Sequence, residues 1–336
     1  MYRPSKRVRL IGIVVGVTAL ASLALAGSPP AAVGGIHQDC RAMDLFAERL
    51  PNAPDGSVRL GYGETPQTAS IPGPLIVLTE GECINITLTN DVPNQTLKKL
   101  AKQYGMPSDY PLAVSIHPHG VKYSITSDGT WHTDSYVLSG QSRTYTWTAV
   151  PGETAGYWWY HDHMVGTDHG SGGLASGLWG GLIVRRPGDL VPDRPTFVVA
   201  MGDDATINLE HDPLTPRFVA TEGQRVEFLI FDWGNSVHTF HLHAHSWADD
   251  RTGIIDPTDP NQRIIDDKVL GPGDSFGFQV IAGQDVGPGQ WMYHCHIQAH
   301  SDAGMRGIFH VLPANATLPV GPTEPPGSDM DMDMEE

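Results

Sequence analysis

The sequence is short of basic residues: 21 lysines and arginines stand against 38 aspartates and glutamates, which gives a formal net charge of −17. A protein that binds nucleic acid needs a basic surface opposite the phosphate backbone. The acidic balance therefore argues against nucleic acid as a partner. It is typical of exported proteins whose surface charge keeps them soluble.

Cysteine is scarce as well, with three residues in a chain of 336. Cys40 and Cys83 lie far from the chemistry described below and are either one disulfide of an exported protein or two unrelated thiols. The third, Cys295, stands between two histidines in the stretch Trp291–His300. That placement requires a separate explanation.

One long apolar run extends from Leu10 to about Ala26 and follows a basic start that contains Arg3 and Arg9. The run ends in small residues, which is the pattern of a cleavable export signal, although a retained membrane anchor is the alternative. We predict that residues 1–26 form a signal peptide. The mature protein is then secreted and has no membrane partner.

Strong helix-forming stretches are few, whereas 38 glycines and 27 prolines separate short runs rich in Val, Ile, Thr and aromatic residues. This pattern predicts an all-β protein of many short strands. The strand pattern also repeats: Val77–Gly81 and Val219–Gly223 each precede an alternating strand, and Trp158–His163 has a counterpart in Trp291–His296. We predict two duplicated domains, residues 36–187 and 188–315, after which residues 316–336 form a disordered acidic tail containing methionine.

Histidine is abundant, and eight of the 16 histidines form His-x-His pairs. The pairs are His117/His119, His161/His163, His241/His243 and His294/His296. Side chains two residues apart on a strand point to the same face, so each pair can direct two imidazoles at one point. Imidazole binds copper, zinc, iron and nickel. Eight imidazoles exceed the needs of one metal ion, which favours a metal cluster over eight structural histidines.

The same alternation explains Cys295, because its side chain faces away from the two flanking imidazoles. Its thiolate is therefore available to a separate metal ion. Candidate partners are His300 and Met305, which follow shortly after the cysteine, and His238, which precedes the pair His241/His243. One cysteine, two histidines and a weak methionine are the ligands of a blue-copper electron-transfer site. The first domain has Asp162 at the matching position and cannot build the same thiolate site.

These motifs together resemble those of the multicopper oxidases, and in particular the bacterial two-domain small laccases. The resemblance implies two cupredoxin-like Greek-key β-sandwiches and four copper ions per chain. It assigns the type 1 copper to His238, Cys295, His300 and Met305, and the type 2 copper to His117 and His241. The two type 3 ions would be bound by the six remaining paired histidines, His119, His161, His163, His243, His294 and His296.

The resemblance also implies an activity and an assembly. Phenols and aromatic amines would lose single electrons at the type 1 copper, and dioxygen would be reduced to water at the trinuclear centre. That centre would form between the first domain of one subunit and the second domain of the next, in a homotrimer. Tyr123, Asp128 and Asp266 would lie near it as catalytic residues that relay protons or orient ligands.

Three alternatives remain open from the sequence. The electron donor could be a metal ion such as Cu(I), Fe(II) or Mn(II). A copper nitrite reductase is a second alternative, but Asp162 and the eight paired imidazoles argue against it. A copper-binding protein without activity is the third, and it would have no use for a cysteine joined to two cluster ligands.

Overall fold

The computed structural model describes residues 39–324, which belong to one compact unit. The predicted signal peptide, residues 1–26, lies outside the described residues. No helix within residues 39–324 is long and apolar enough to cross a membrane.

The first half of the chain forms a β-sandwich. One sheet has the strand order β2-β1-β4-β8, the other has β3-β10-β9-β6, and β5 pairs with β7 in a small ribbon. Burial alternates along β4, which turns three aliphatic side chains into the core, as expected of a half-exposed strand. The elements are β1 Arg41–Arg49, β2 Leu60–Gly63, β3 Gly73–Thr79, β4 Cys83–Asn90, α1 Asn94–Gln103, β5 Ala113–Val114, β6 His117–Pro118, β7 Val137–Leu138, β8 Ser142–Thr148, β9 Gly156–His161, α2 Ser171–Ser176 and β10 Trp179–Arg185.

The second half repeats this architecture. Its main sheets have the orders β12-β11-β14-β19 and β13-β21-β20-β15-β18, and a small ribbon joins β16 to β17. The elements are β11 Phe197–Gly202, β12 Thr206–Ile207, β13 Arg217–Thr221, β14 Arg225–Asp232, β15 His238–Leu242, β16 Trp247–Ala248, β17 Ile264–Ile265, β18 Asp267–Leu270, β19 Ser275–Ile281, β20 Gly289–His294, α3 Gln298–Asp302 and β21 Arg306–Leu312. The prediction of an all-β, two-sandwich fold is therefore confirmed.

The two halves match down to single turns. β1 runs parallel to β4 and β3 to β10, and the corresponding strands of the second half, β11 with β14 and β13 with β21, are also parallel. Gly81 and Gly223, which end the repeated sequence motifs, both adopt positive φ, at 97° and 87°. Each occupies a tight turn into the next strand, and glycine adopts that conformation without steric cost.

Each sandwich has its own apolar core, and a third apolar cluster lies between them. That third cluster joins strands β9 and β10 of the first domain to β11 and β14 of the second. At its edge lies Glu227, whose side chain is fully buried. Its carboxylate accepts two hydrogen bonds from Arg185, at 2.8 and 2.7 Å, and one from the Tyr157 hydroxyl at 2.9 Å. Thr196 and Gln279 donate two more, so the charge is fully paired.

Replacing Glu227 with alanine is expected to lower the free energy of unfolding by about 3–5 kcal/mol, because the largely buried Arg185 guanidinium would lose the carboxylate that it pairs with directly. Urea unfolding measures this loss. Lys122→Ala is the control, because its ion pair with Glu153 is solvent-exposed and should contribute about 1 kcal/mol or less. Equal effects of the two substitutions would show that the Glu227 network does not hold the domains together.

The two remaining cysteines form a disulfide, Cys40–Cys83, which closes a sequence separation of 43 residues. It joins the start of β1 to the start of β4, two strands that already pair in parallel. Of the two possibilities left open by the sequence, the structure has the disulfide.

The prediction of a disordered tail is wrong for residues 316–324. Thr323 pairs with Phe218 at the edge of β13, and the Glu324 amide donates to the Arg217 carbonyl at 2.8 Å. The Glu324 carboxylate also binds His310, at 2.8 Å from Nδ1. The segment is ordered because it completes an exposed strand edge, which its Pro- and Gly-rich composition does not reveal. Residues 325–336 lie outside the described residues.

Candidate metal centres

The thiolate predicted for the type 1 site lies inside the second-domain core. Cys295 follows β20, His238 is the first residue of β15, and His300 lies in α3. The Cys295 Sγ atom is 4.0 Å from Nδ1 of His238 and 3.6 Å from Nδ1 of His300, and the two nitrogens are 3.2 Å apart. Three donor atoms therefore converge on one point.

The fourth predicted type 1 residue, Met305, is fully buried directly before β21. Its carbonyl accepts the Cys295 amide and its amide donates to the His300 carbonyl, each at 3.0 Å. Burial raises the pKa of the Cys295 thiol, so the thiolate form needs a cation beside it. The buried Nε2 atom of His238 has no protein partner.

The four first-domain histidines form one cluster. The ligand atoms of His117, His119 and His161 lie within 4.8 Å of one another, and the His163 ring centroid is 5.3 Å from that of His117. The cluster opens into a cavity of about 520 Å³, whose opposite wall belongs to the second domain and includes Trp233. His169 stands at the mouth, with its ring 4.5 Å from that of His163.

The second-domain histidines form a matching cluster. The ligand atoms of His241, His243 and His294 lie within 4.8 Å of one another, and Nε2 of His243 is 3.2 Å from Nε2 of His294. The ring of His296 lies 5.3 Å from that of His294 and is exposed. His245 points elsewhere, because it is buried between the His243 carbonyl and the Gly283 amide.

Backbone carbonyls fix the orientation of five of these rings. A carbonyl only accepts, so a ring nitrogen beside it must carry the proton, and the opposite nitrogen then keeps its lone pair for a metal. In each of the five rings the Nδ1–H group donates a hydrogen bond to a backbone carbonyl oxygen, at 2.6–3.0 Å. The donor and acceptor residues are His117 and Asp128, His161 and Asp162, His163 and Asp168, His241 and Asp266, and His294 and Cys295. In all five rings Nε2 is therefore the free ligand atom.

Burial lowers the pKa of four of the predicted histidine ligands. It lowers the pKa of His119 to about 4, with the neighbouring histidines adding to the effect, and it lowers the pKa of His238 to about 4. Burial also lowers the pKa of His243 and His294. Neutral imidazole is the form that binds metal, so these four rings are ready to coordinate at neutral pH.

Asp128 and Asp266, predicted as outer acids, act on the rings mainly through their main chain. Their carbonyls hold His117 and His241, whereas their carboxylates lie farther away, at 3.7 and 4.0 Å from Nδ1. Tyr123 packs its ring 5.8 Å from that of His117. Burial and the Asp128 carboxylate raise the pKa of the Tyr123 hydroxyl, which therefore stays protonated at neutral pH.

Asp267, the neighbour of the predicted Asp266, is a further acid beside the second-domain cluster, and the sequence pattern does not predict its role. It pairs with His241 in the β15–β18 ladder and its charge interacts with His241, His294 and His296. The Asp266 side chain is 60% exposed, so Asp267 is the carboxylate turned towards the cluster. The register of β18 against β15 determines which of the two aspartates faces the cluster, and the sequence Asp266-Asp267 alone does not specify that register.

Asp162 reproduces the hydrogen bonding of the cysteine that it replaces. The Thr239 amide faces Cys295 Sγ at 3.5 Å, and the matching Ser115 amide donates to Asp162 Oδ1 at 2.8 Å. Two more amides, of Met164 and Val165, donate to Oδ2 at 2.9 and 2.6 Å. Burial raises the pKa of Asp162 to about 7 although these three bonds lower it. A structural carboxylate thus occupies the first-domain counterpart of the thiolate site.

Asp162→Ala is expected to lower the free energy of unfolding by about 3 kcal/mol or more, since three buried amides would lose their acceptor. Asp256→Ala is the matched control, because that carboxylate accepts a local amide and a hydroxyl in an exposed turn. Its loss should stay near 1 kcal/mol. A comparable unfolding midpoint for both variants in urea would contradict this role.

The two histidine clusters remain apart. Within residues 39–324, no group of potential metal ligands combines histidines of the two clusters. Each cluster alone offers four imidazoles, which is half of the predicted set.

The site chemistry fits copper. A thiolate with two Nδ1 donors and a buried methionine matches a blue-copper site, and free Nε2 atoms in clusters suit further copper ions. The fold and these sites define a two-domain, all-β protein of the copper-binding class. Sequence profiles described as multicopper oxidase match residues 109–189 and 190–315. The chain belongs to the multicopper oxidase family, and the family implies copper as its cofactor.

Similar proteins agree with this assignment. A protein of Kuenenia stuttgartiensis described as a probable nitrite reductase-hydroxylamine oxidoreductase fusion protein is 30% identical over 300 residues, covering 83% of this chain and 32% of that protein. The chain spans less than a third of the length of the curated relatives that it matches.

Solved structures show the fold. A multicopper oxidase crystal structure aligns with 81% of this chain and 89% of its own, at a TM-score of 0.57 and 24% identity. A copper nitrite reductase from Nitrosomonas europaea aligns with 84% of this chain and 98% of its own, at a TM-score of 0.58 and 19% identity. Both sandwiches are therefore cupredoxin-like.

Proposed function

We propose that this chain is a laccase-type oxidase, which couples the one-electron oxidation of phenols and aromatic amines to the reduction of dioxygen to water. The observation that carries the proposal is the position of Cys295. Its sulfur faces His238 and His300, while the residues on either side, His294 and His296, belong to the histidine cluster. One short segment thus joins an electron-entry site to a cluster site.

In this proposal His238, Cys295, His300 and Met305 hold a type 1 copper, and His117 and His241 hold the type 2 copper. The other six paired histidines hold the two type 3 ions, which makes four copper ions per chain. Bound copper supplies one-electron redox chemistry, which zinc cannot.

The chain's own residues exclude water from the type 1 site and form the surface that substrates contact. His238, Cys295 and Met305 are fully buried and exclude water from the type 1 site. His300 is partly exposed in α3, so an electron-donating substrate would contact the type 1 site through this ring. The 3₁₀ helix Asp203–Ala205 packs against α3, and its loop would therefore shape the surface on which donors bind.

We further propose that the chain works as a homotrimer, because neither cluster has enough imidazoles alone. His296 of the second-domain cluster is exposed. Two apolar side chains are exposed as well, Val237 directly before β15 and Val269 on β18, the strand that pairs with β15. The first-domain cluster faces an open cavity. In a head-to-tail ring the second-domain cluster of one copy would meet the first-domain cluster of the next.

We also propose secretion, which rests on the basic and apolar N-terminal segment. A metal-ion oxidase and a nitrite reductase are the rival activities. The nitrite reductase is disfavoured because the first-domain counterpart of the thiolate site holds Asp162, with its carboxylate fully engaged by backbone amides.

Oxygen uptake by the copper-loaded protein separates these activities. The donors to compare are 2,6-dimethoxyphenol, an aromatic amine, Fe(II), Mn(II) and Cu(I), with nitrite supplied separately as an oxidant. We expect uptake with the phenol and the amine, and no nitrite consumption. Uptake restricted to a metal ion, or nitrite reduction without oxygen uptake, would reject the laccase assignment.

A further inference from the structure

The first-domain histidine cluster rests on an aromatic stack that no ligand motif includes. The indole of Trp159 lies face to face with two of the imidazoles. Its ring centroid is 4.7 Å from that of His119, at an interplanar angle of 14°, and 4.6 Å from that of His161, at 22°. Trp159 is 3% exposed and is therefore a rigid base beneath two predicted ligands.

The second domain holds this base in place. The ring of Phe231, at the end of β14, stacks on Trp159 with centroids 5.0 Å apart and an angle of 11°. The Trp159 indole N–H also donates to the Gly273 carbonyl at 3.2 Å, just before β19. Both contacts cross from the first domain to the second, so the imidazoles, Trp159 and Phe231 form three layers that span the domain interface.

The duplicated domain has no such base. The His119 amide donates to the Trp159 carbonyl, and the matching His243 amide donates to the Met292 carbonyl, each at 2.9 Å. Met292 therefore occupies the position of Trp159. It is flexible and only partly buried, whereas the indole is planar and enclosed. The backbone is the same in the two domains, and the side chain beneath the imidazoles differs.

We propose that Trp159 is a positioning residue, which fixes the imidazoles of His119 and His161 for metal binding and is itself fixed by Phe231 of the second domain. This inference rests on the proposed copper sites. Stacking restricts rotation of both rings before metal arrives, so less conformational entropy is lost on coordination. The first-domain cluster is thus preorganised by domain docking within its own chain, whereas the second-domain cluster is not.

The test compares Trp159→Leu with Trp159→Phe, because phenylalanine keeps a stacking face and leucine does not. Metal-free protein is dialysed against copper buffered at graded free concentrations, and bound copper is counted. We expect Trp159→Leu to bind the copper ions other than the blue one about 10–100-fold more weakly, as is usual when support around a ligand is lost. Trp159→Phe should stay close to the unmodified protein, and Phe231→Leu should fall between them.

Trp147→Leu is the matched control. Trp147 is fully buried in the first-domain core, where its ring packs against Tyr160 and not beneath the imidazoles, so this variant loses stability but should keep its copper affinity. The blue absorbance of the type 1 site is an internal reference and should not change in any of these variants. Proton spectra of the metal-free protein give a second readout, since the indole ring current on the His119 and His161 rings should disappear in Trp159→Leu.

Two outcomes would overturn the inference. Trp159→Leu could bind copper as tightly as Trp147→Leu, which would make the stack purely structural. Alternatively, Trp159→Phe could lose as much affinity as Trp159→Leu, which would assign the effect to the indole N–H. If the unmodified protein binds only the blue copper, the proposed function fails first and this inference fails with it.

Discussion

Replacing Cys295 with serine is expected to abolish the blue colour of the copper-loaded protein and its oxidation of phenols. The sulfur is the only thiolate beside His238 and His300 in the described chain, and a serine hydroxyl at that position does not replace a soft thiolate ligand. The histidine cluster should remain able to bind copper, because the His294 and His296 rings lie on the other side of the backbone. Visible absorption, copper counting and donor turnover together measure these effects.

The control for this substitution is Ser301→Ala, which changes a hydroxyl in the same helix as His300 without removing a donor atom. It should stay blue and active. Intense blue absorbance that persists in Cys295→Ser would contradict the type 1 assignment. Loss of all copper from Cys295→Ser would show instead that the two sites are not separable.

Two inactive variants are expected to restore activity when they assemble together. His163→Ala damages the first-domain cluster, and His243→Ala damages the second-domain cluster. If the complete centre forms between chains, random mixing of equal amounts should leave about a quarter of the interfaces with both clusters intact in a cyclic assembly. Oxygen uptake should then recover to about a quarter of the unmodified level.

The control is a mixture of His163→Ala with His119→Ala. Both substitutions damage the same cluster, so every interface in that mixture contains a damaged half and no recovery is expected. A mass measurement establishes that the chains have mixed. Mixed assemblies of the first pair that remain inactive would contradict a centre shared between chains.

The ligand residues could be predicted from the sequence because histidine spacing encodes the direction of a side chain. Strand alternation accounts for only part of this arrangement. β20 ends at His294 and β9 ends at His161, so the second histidine of each pair lies past the strand end. The rings nevertheless stay together, at 5.3 Å between the centroids of His294 and His296 and 5.7 Å between those of His161 and His163.

Other features depend on contacts between distant parts of the chain and could not be read from local patterns. The base formed by Trp159 needs Phe231, 72 residues farther along, and the choice of Asp267 over Asp266 needs the register of β18. The ordered segment up to Glu324 likewise depends on an open strand edge at β13. Composition and residue spacing do not indicate which distant residues meet in these contacts.

Copper counting combined with electron paramagnetic resonance tests the central claim most directly. A thiolate site and two half-clusters per chain predict four copper ions per polypeptide, of which the type 1 and type 2 ions give a signal and the type 3 pair is silent. A single copper per chain, or four ions that all give signals, would contradict a trinuclear centre built from these eight histidines.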